Sequence, residues 1–122
     1  MYDRDAASQA LGVELVEVGE GTATTRMLVR PDMVNGHDVC HGGLIFTLAD
    51  TAFAFACNSY GPVTFAAGAA IEFVAPGRGG STLTAVAVER YRQGKNGQYD
   101  VEVTDDAGSV VALFRGRSRS VG

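Results

Sequence analysis

One apolar segment, residues 44 to 57, restricts the fold of this chain more than any other feature. Its only residues that are not plainly apolar are Thr47, Asp50 and Thr51. The segment is too long for an ordinary strand, and the Gly61–Pro62 pair that follows is a typical helix stop signal. We therefore expect a single long helix over residues 42 to 59.

The remaining sequence predicts a short helix and six strands separated by turns. The helix is expected at residues 3 to 10, and the strands at residues 13 to 18, 22 to 30, 63 to 76, 82 to 92, 98 to 104 and 109 to 120. Strands and helices do not alternate as they do in a parallel sheet, so an antiparallel sheet wrapped around the long helix is expected, an α+β arrangement. We predict one domain spanning residues 1–122.

Composition excludes several classes of protein. A net charge of -4, 46% hydrophobic residues and 20% charged residues describe an ordinary globular chain without a basic tract for nucleic acid. The first twelve residues lack the apolar core that a signal peptide needs, and no run of about 18 apolar residues occurs, so we expect a cytoplasmic protein without a membrane partner. In such a compartment Cys40 and Cys57 are expected to be free thiols.

Asp50 is the unusual residue of the long helix. Helical spacing places it on a narrow polar stripe, which consists of Thr47, Asp50, Thr51, Ala54 and Asn58. This stripe is expected to meet water, a cavity or another chain. Asp50 is therefore either a solvated surface carboxylate or a functional one.

The start of the helix carries a second candidate site. In the sequence His41-Gly42-Gly43, the first helical amides have no intrahelical acceptor, and they can hold a developing oxyanion at the positive end of the helix dipole. The alternative is that both glycines serve only the turn into the helix.

Spacing limits how these two candidates can cooperate. Gly42 and Asp50 are separated by about 12 Å along one helix at 1.5 Å per residue, whereas a reacting carbonyl must lie about 3 Å from both groups. If they act together, two antiparallel copies of the helix must supply them across a two-fold axis. A homodimer with two shared sites follows.

The stretch "NGHDVCHGGLIFTLADTAFAFACNSYG", with "PG" at 76 to 77 and "VALFRGRS" at 111 to 118, resembles the hotdog-fold acyl-CoA thioesterases of the phenylacetic acid degradation (PaaI) type. The resemblance implies a long central helix wrapped by a sheet, and subunits paired into dimers and usually tetramers. It also implies hydrolysis of acyl-CoA thioesters to free acid and CoA without a metal or cofactor. Phenylacetyl-CoA, or a ring-hydroxylated or other aromatic acyl-CoA, is the expected substrate.

The resemblance also implies roles for individual residues. Asp50 matches the catalytic carboxylate, as general base or nucleophile, and Gly42 matches the carbonyl-polarising backbone amide. Asn35 matches an asparagine that orients the thioester or the attacking water, and His41 matches the histidine beside the oxyanion site. The hydroxyl residue that many relatives carry on the next strand is absent, since residues 67–69 are Ala-Gly-Ala.

Other residues suggest binding roles with simpler alternatives. Arg78, Arg90 and Arg115 are candidates to hold the CoA phosphates, although solvated strand and turn positions explain them equally well. Three phenylalanines of the long helix are candidates to line an acyl pocket, although core packing explains most of them, namely Phe46, Phe53 and Phe55.

Other interpretations of residues 37 to 41 have less support from the sequence. The sequence "HDVCH" at 37 to 41 offers potential metal ligands, but its spacing matches no standard zinc pattern, so no metal is expected. A Cys40–His41 nucleophilic pair is disfavoured because adjacent residues usually point apart. At the level of function, the alternatives are a non-catalytic acyl-CoA binding hotdog protein and a hotdog acyl-CoA dehydratase, for which His41 is the only plausible catalytic histidine.

Overall fold

The computed structural model describes residues 1–121, which form a short helix, a long helix and six strands. The helices are α1 (Ala6–Ala10) and α2 (Gly42–Cys57), and 3-10 turns lie at Tyr2–Arg4 and Pro31–Met33. The strands are β1 (Glu14–Gly19), β2 (Thr22–Leu28), β3 (Thr64–Phe73), β4 (Thr82–Gln93), β5 (Asn96–Thr104) and β6 (Val110–Ser120). No helix within this part of the chain is long and apolar enough to cross a membrane.

The six strands make one antiparallel sheet in the order β1-β2-β4-β5-β6-β3. β1 and β3 are therefore its two edges. α2 packs across the sheet, with most of its contacts to β2, β4 and β5. This is the hotdog arrangement, so the predicted fold class is confirmed.

The core lies between α2 and the inner face of the sheet. Alternating residues of the central strands point inward and are buried, among them Ala85, Ala87, Tyr99, Val101 and Val103. Phe53 of α2 packs so closely on β6 that a Cβ at Gly116 would lie 2.8 Å from its ring. Only glycine allows this approach, and the ring fills the space that a side chain would occupy.

Two terminal features differ from the expectation. The first helix is shorter than residues 3 to 10, because the Asp5 carboxylate caps it by accepting a hydrogen bond from the Ser8 N–H. A register shift in β1 between Leu15 and Glu17 breaks the alternation expected for a half-buried strand. Val16, at the shift, and Val18 are both exposed.

The C-terminal end of α2 is fastened to the sheet by side chains. Asn58 donates its amide to the carbonyls of Ala54 and Thr64, at 2.8 and 3.0 Å, and accepts from the Thr64 N–H at 2.9 Å. The Ser59 hydroxyl accepts from the Gly21 N–H at 2.8 Å. These bonds end the helix at Cys57 and fix the beginning of β3.

Candidate active site

The first turn of α2 presents backbone amides without acceptors. The His41 carbonyl accepts from the N–H groups of Leu44 and Ile45, at 3.0 and 3.3 Å, and His41 makes no side-chain capping bond. Within residues 1–121, the N–H groups of Gly42 and Gly43 have no hydrogen-bond acceptor. These two donors remain available to a ligand at the positive end of the helix dipole.

Asn35 organises the loop that leads into this turn. Its side-chain oxygen accepts from the N–H groups of His37 and Val39, at 2.9 and 3.3 Å, which is a local Asx-type turn. Asp38 in the same loop adopts a positive φ of 60°, a conformation that is uncommon outside glycine. The carboxamide oxygen of Asn35 is thus occupied, and its Nδ2 group has no acceptor within residues 1–121.

The turn after β3 is fastened to the same loop. Val39 forms a β-bridge with Arg78, and the Cys40 N–H donates to the Gly77 carbonyl at 2.7 Å. Arg78 is exposed and has no carboxylate partner within the described residues. This candidate phosphate contact therefore lies close in space to the start of α2.

Asp50 lies two turns further along α2 and is half-buried. Among residues 1–121 its carboxylate has neither a hydrogen-bond donor nor a cationic partner. Burial raises the pKa of Asp50 above its usual range. Asp50 is thus an unpaired and perturbed carboxylate, which makes it a candidate functional group.

The polar stripe around Asp50 is narrower than the sequence predicts. Thr51 is buried, and its hydroxyl donates to the Thr47 carbonyl at 2.7 Å and contacts the Ser8 hydroxyl at 3.3 Å. The prediction that Thr51 lies on the open stripe was wrong, because α1 covers that side of α2. Asp50 and Ala54 remain partly open.

The thiols of this region are unsuited to nucleophilic attack. Cys40 and Cys57 are free and buried, and burial raises the pKa of each thiol. Burial raises the pKa of Cys57 to about 11; the charge of Asp50 adds to this rise, and a backbone hydrogen bond opposes it. Since the thiolate is the reactive form, neither cysteine is activated. No cluster of three or more metal-ligating side chains occurs within residues 1–121.

Arg90 and Arg115 lie apart from the α2 site. Both pair with Asp100, at 3.4 and 2.7 Å, on strand positions that alternate with the buried ones and so face away from α2. Hydrogen bonding from Arg115 and the two positive charges hold the pKa of Asp100 below its usual range. These arginines line a groove of about 840 Å³ on the outer face of the sheet, with Val86 and Leu113 among its apolar walls.

The three candidate phenylalanines have different environments. Phe53 and Phe55 are core residues, 1% and 5% exposed. Phe46 is partly exposed and packs edge-on against Phe114, with ring centroids 5.3 Å apart. Because Phe46 lies one turn after Gly42 and one turn before Asp50, it is the phenylalanine of this set that borders the open stripe.

One neighbour of the site was missed from the sequence. The ring of Phe73, at the end of β3, packs against Gly42, and both residues line a groove of about 420 Å³. The available signal was the β3 alternation, which places Phe73 on the same face as the partly buried Ile71.

Comparison with known proteins gives consistent matches over this chain. The family model of the thioesterase superfamily matches residues 37–112. The acyl-coenzyme A thioesterase PaaI of Escherichia coli (strain K12) is 47% identical over 122 residues, which are 100% of this chain and 87% of that protein.

Solved structures of PaaI proteins are also similar to this chain. The structure of the E. coli PaaI protein from the phenylacetic acid degradation operon has a TM-score of 0.98 and 47% identity, covering 100% of this chain and 88% of that chain. A mutant of the phenylacetic acid degradation protein PaaI from Thermus thermophilus has a TM-score of 0.91 and 34% identity, covering 96% of this chain and 100% of that chain.

Proposed function

Because the chain belongs to the thioesterase superfamily and is an acyl-CoA thioesterase of the PaaI type, we propose that Asp50 of one protomer and the Gly42 amide of another form each active site. The observation that carries this proposal is the pair of unsatisfied groups on α2. Asp50 is a half-buried carboxylate with a raised pKa, and the Gly42 N–H lacks an acceptor within residues 1–121.

The geometry of α2 favours a shared site. Gly42 and Asp50 belong to the same straight helix, so about 12 Å separates them along its axis. Two antiparallel copies of α2 remove this distance, because the Gly42 end of one then faces Asp50 of the other.

The free edge of β3 offers the surface for such a dimer. β3 is hydrogen-bonded only to β6, and exposed residues occupy most of its length. Residues 65 to 71 contain no charge, whereas exposed edge strands usually carry protective charges or prolines. Antiparallel pairing of two β3 edges would continue the sheet and set two α2 helices antiparallel on one face.

The chemistry follows from these groups by one of two routes. As a general base, Asp50 takes a proton from water, the water oxygen attacks the thioester carbon, and the charge on the carbonyl oxygen is held by the Gly42 N–H. The C–S bond then breaks, and the CoA thiolate receives the proton from Asp50. As a nucleophile, the Asp50 carboxylate displaces the thiolate to give a mixed anhydride, which water hydrolyses.

We propose that Asn35 and His41 assist the reaction. The Nδ2 group of Asn35 is free to donate to the thioester or to water, while its oxygen holds the loop. His41 is exposed and immediately precedes Gly42. We assign orientation of the reactants to Asn35 and a contact beside the oxyanion to His41.

An aromatic acyl group is the proposed substrate class. Phe46 borders the open stripe between Gly42 and Asp50 and provides an aromatic wall beside the reacting carbon. Relatives of the chain belong to phenylacetic acid degradation, and we propose phenylacetyl-CoA or a ring-hydroxylated analogue.

For the CoA phosphates we favour Arg78 over Arg90 and Arg115. Arg78 is unpaired within residues 1–121 and lies beside the α2 start, whereas the other two share Asp100 on the opposite face. A role of Arg90 and Arg115 in binding CoA remains a prediction. The homotetramer and the cytoplasmic location are also predictions. The apolar part of the outer groove is the surface available for a second dimer.

The decisive test replaces Asp50 and follows CoA release. Asp50→Asn is expected to lower turnover of phenylacetyl-CoA by about 100-fold or more, since a positioned proton-transfer group contributes 10²- to 10⁴-fold. The oligomer measured by light scattering should be unchanged. Asp3→Asn, which makes the same charge change at an exposed carboxylate, is the matched control.

Two results would contradict the proposal. Equal turnover by wild type and Asp50→Asn would remove Asp50 from the chemistry. Binding of acyl-CoA by wild type without any CoA release would replace hydrolysis by a binding function. Hydration of an enoyl-CoA would instead indicate a dehydratase.

A further inference from the structure

Phe73 occupies an unusual position for a large aromatic residue. It ends β3 and is 54% exposed, yet its ring lies against the first residue of α2. A Cβ at Gly42 would be 2.9 Å from Cζ of this ring and 3.3 to 3.4 Å from two further ring atoms. Glycine at position 42 is therefore required for Phe73 to reach the helix start.

Phe73 and Gly42 form one end of a groove that lies beside the proposed oxyanion donor. The groove has a volume of about 420 Å³, and its remaining walls are Val39, Cys40 and residues 74–76. These side chains are apolar. An apolar groove beside an amide donor without an acceptor is a suitable place for an uncharged part of a ligand.

One wall of the groove pairs with a positively charged residue. Its wall residue Val39 forms a β-bridge with Arg78, whose guanidinium is unpaired within residues 1–121. The three residues from Val39 to Gly42 span at most about 10 Å at 3.3–3.6 Å per residue. A ligand with an uncharged arm between a reacting carbonyl and a phosphate group matches this layout.

We propose that Phe73 is a substrate-positioning residue that holds the pantetheine arm of the CoA thioester in this groove. This inference rests on the proposed thioesterase function. The ring supplies an apolar wall for the methylene and methyl groups of the arm. It also excludes water from the Gly42 amide, which strengthens a hydrogen bond to the developing oxyanion. Phe73 makes no covalent bond in the reaction.

The test compares two thioesters of phenylacetic acid, one with CoA and one with ethanethiol, which lacks the arm. Phe73→Ala is expected to raise KM for the CoA thioester about 10- to 100-fold, the effect of losing a large apolar contact. KM for the ethyl thioester should change less than about 3-fold. Phe73→Leu, which keeps an apolar wall, should recover most of the loss. Tyr91→Ala is the control, because Tyr91 is an aromatic residue of similar exposure at 51%, distant on β4.

Coenzyme A binding, measured by calorimetry, separates this inference from the proposed function because it requires no turnover. We expect Phe73→Ala to weaken CoA binding about 10-fold or more, and this result would support the inference even if wild type hydrolysed nothing. Unchanged CoA affinity, or an equal KM effect on both thioesters, would overturn it while leaving the role of Asp50 intact.

Discussion

The two ends of α2 are built in opposite ways. At its C-terminal end, Asn58 makes three hydrogen bonds, Ser59 accepts from the Gly21 N–H, and the Tyr60 hydroxyl donates to Glu89 at 3.0 Å. At its N-terminal end, His41 makes no side-chain capping bond, and the amides of Gly42 and Gly43 lack acceptors within residues 1–121.

This difference separates stability from function along one helix. Buried polar groups that are paired hold an element in place, whereas unpaired ones are costly and persist where a ligand completes them. The C-terminal end fixes the direction of α2 against β3. The N-terminal end keeps its donors for a substrate, as we propose.

Among changes at the two ends of α2, Gly42→Ala should produce the largest effect on activity. The added Cβ would lie 2.9 Å from Phe73, so either the ring or the helix start must move. A misplacement of about 1 Å in a reactive geometry can cost about 100-fold, and we expect a 10- to 100-fold loss of kcat/KM for phenylacetyl-CoA. The comparison is Gly43→Ala, whose Cβ meets nothing within 4 Å. Equal losses in both variants would show that Gly42 has no special position.

Asn58→Ala should produce the largest effect on stability. It removes three side-chain hydrogen bonds to backbone groups and leaves the N–H of the buried Thr64 without its partner. We expect a loss of about 2–3 kcal/mol in the free energy of unfolding, measured with urea. Asn96→Ala, which removes one exposed contact with Arg119, should cost much less. Similar costs for the two variants would mean that the C-terminal end is not specially fastened.

Protonation of Asp50 as the pH falls should lower activity and raise the free energy of unfolding. Burial raises the pKa of Asp50 above the usual value of about 3.9. Activity needs the carboxylate, so kcat/KM should fall about tenfold per pH unit below the raised pKa.

Stability should respond to the same titration in the other direction. The folded state binds the proton more tightly than the unfolded state, so the contribution of Asp50 to the free energy of unfolding rises as pH falls through the raised pKa. Urea unfolding of wild type and Asp50→Asn between pH 4 and 7 checks this, because the variant lacks the titration. A difference between the two proteins that does not vary with pH would contradict it.

Tyr60→Phe tests the C-terminal end with a smaller change. The variant loses the hydrogen bond to Glu89 but keeps the ring over which the Arg92 guanidinium stacks, 3.6 Å from the centroid. Because Tyr99 still donates to the same Glu89 oxygen at 3.2 Å, we expect a cost of only about 1 kcal/mol in unfolding free energy. Tyr91→Phe, which removes an exposed bond to Gln93, is the control and should change little. Activity should be unaffected in both.

Much of the architecture could be predicted because it depends on local patterns. The long apolar segment predicted α2, and the alternation around Tyr99 predicted the inward face of β5. The bulge in β1 and the burial of Thr51 could not be predicted in this way. Both depend on contacts with other elements, β2 in one case and α1 in the other.

Some residues of the candidate site could likewise be predicted from local patterns, and others could not. Gly42 and Asp50 are recognisable from the sequence, because helix geometry places the glycines at free amides and the carboxylate two turns away. His41 was identified through the resemblance to the family. Phe73 and Arg78 were harder to place. They reach the site only because β3 ends beside the start of α2 and the following turn bridges to Val39.

The sequence by itself determined the single long helix, the six strands and the positions of Gly42 and Asp50 along α2, since these follow from hydrophobic periodicity and residue type along a continuous segment. Only the tertiary structure decided which groups are left unpaired and which surfaces lie beside them. The reason is physical: hydrogen-bond satisfaction and burial depend on neighbours that are distant in the chain, and the same Asn, Arg or Phe is structural or functional according to what faces it.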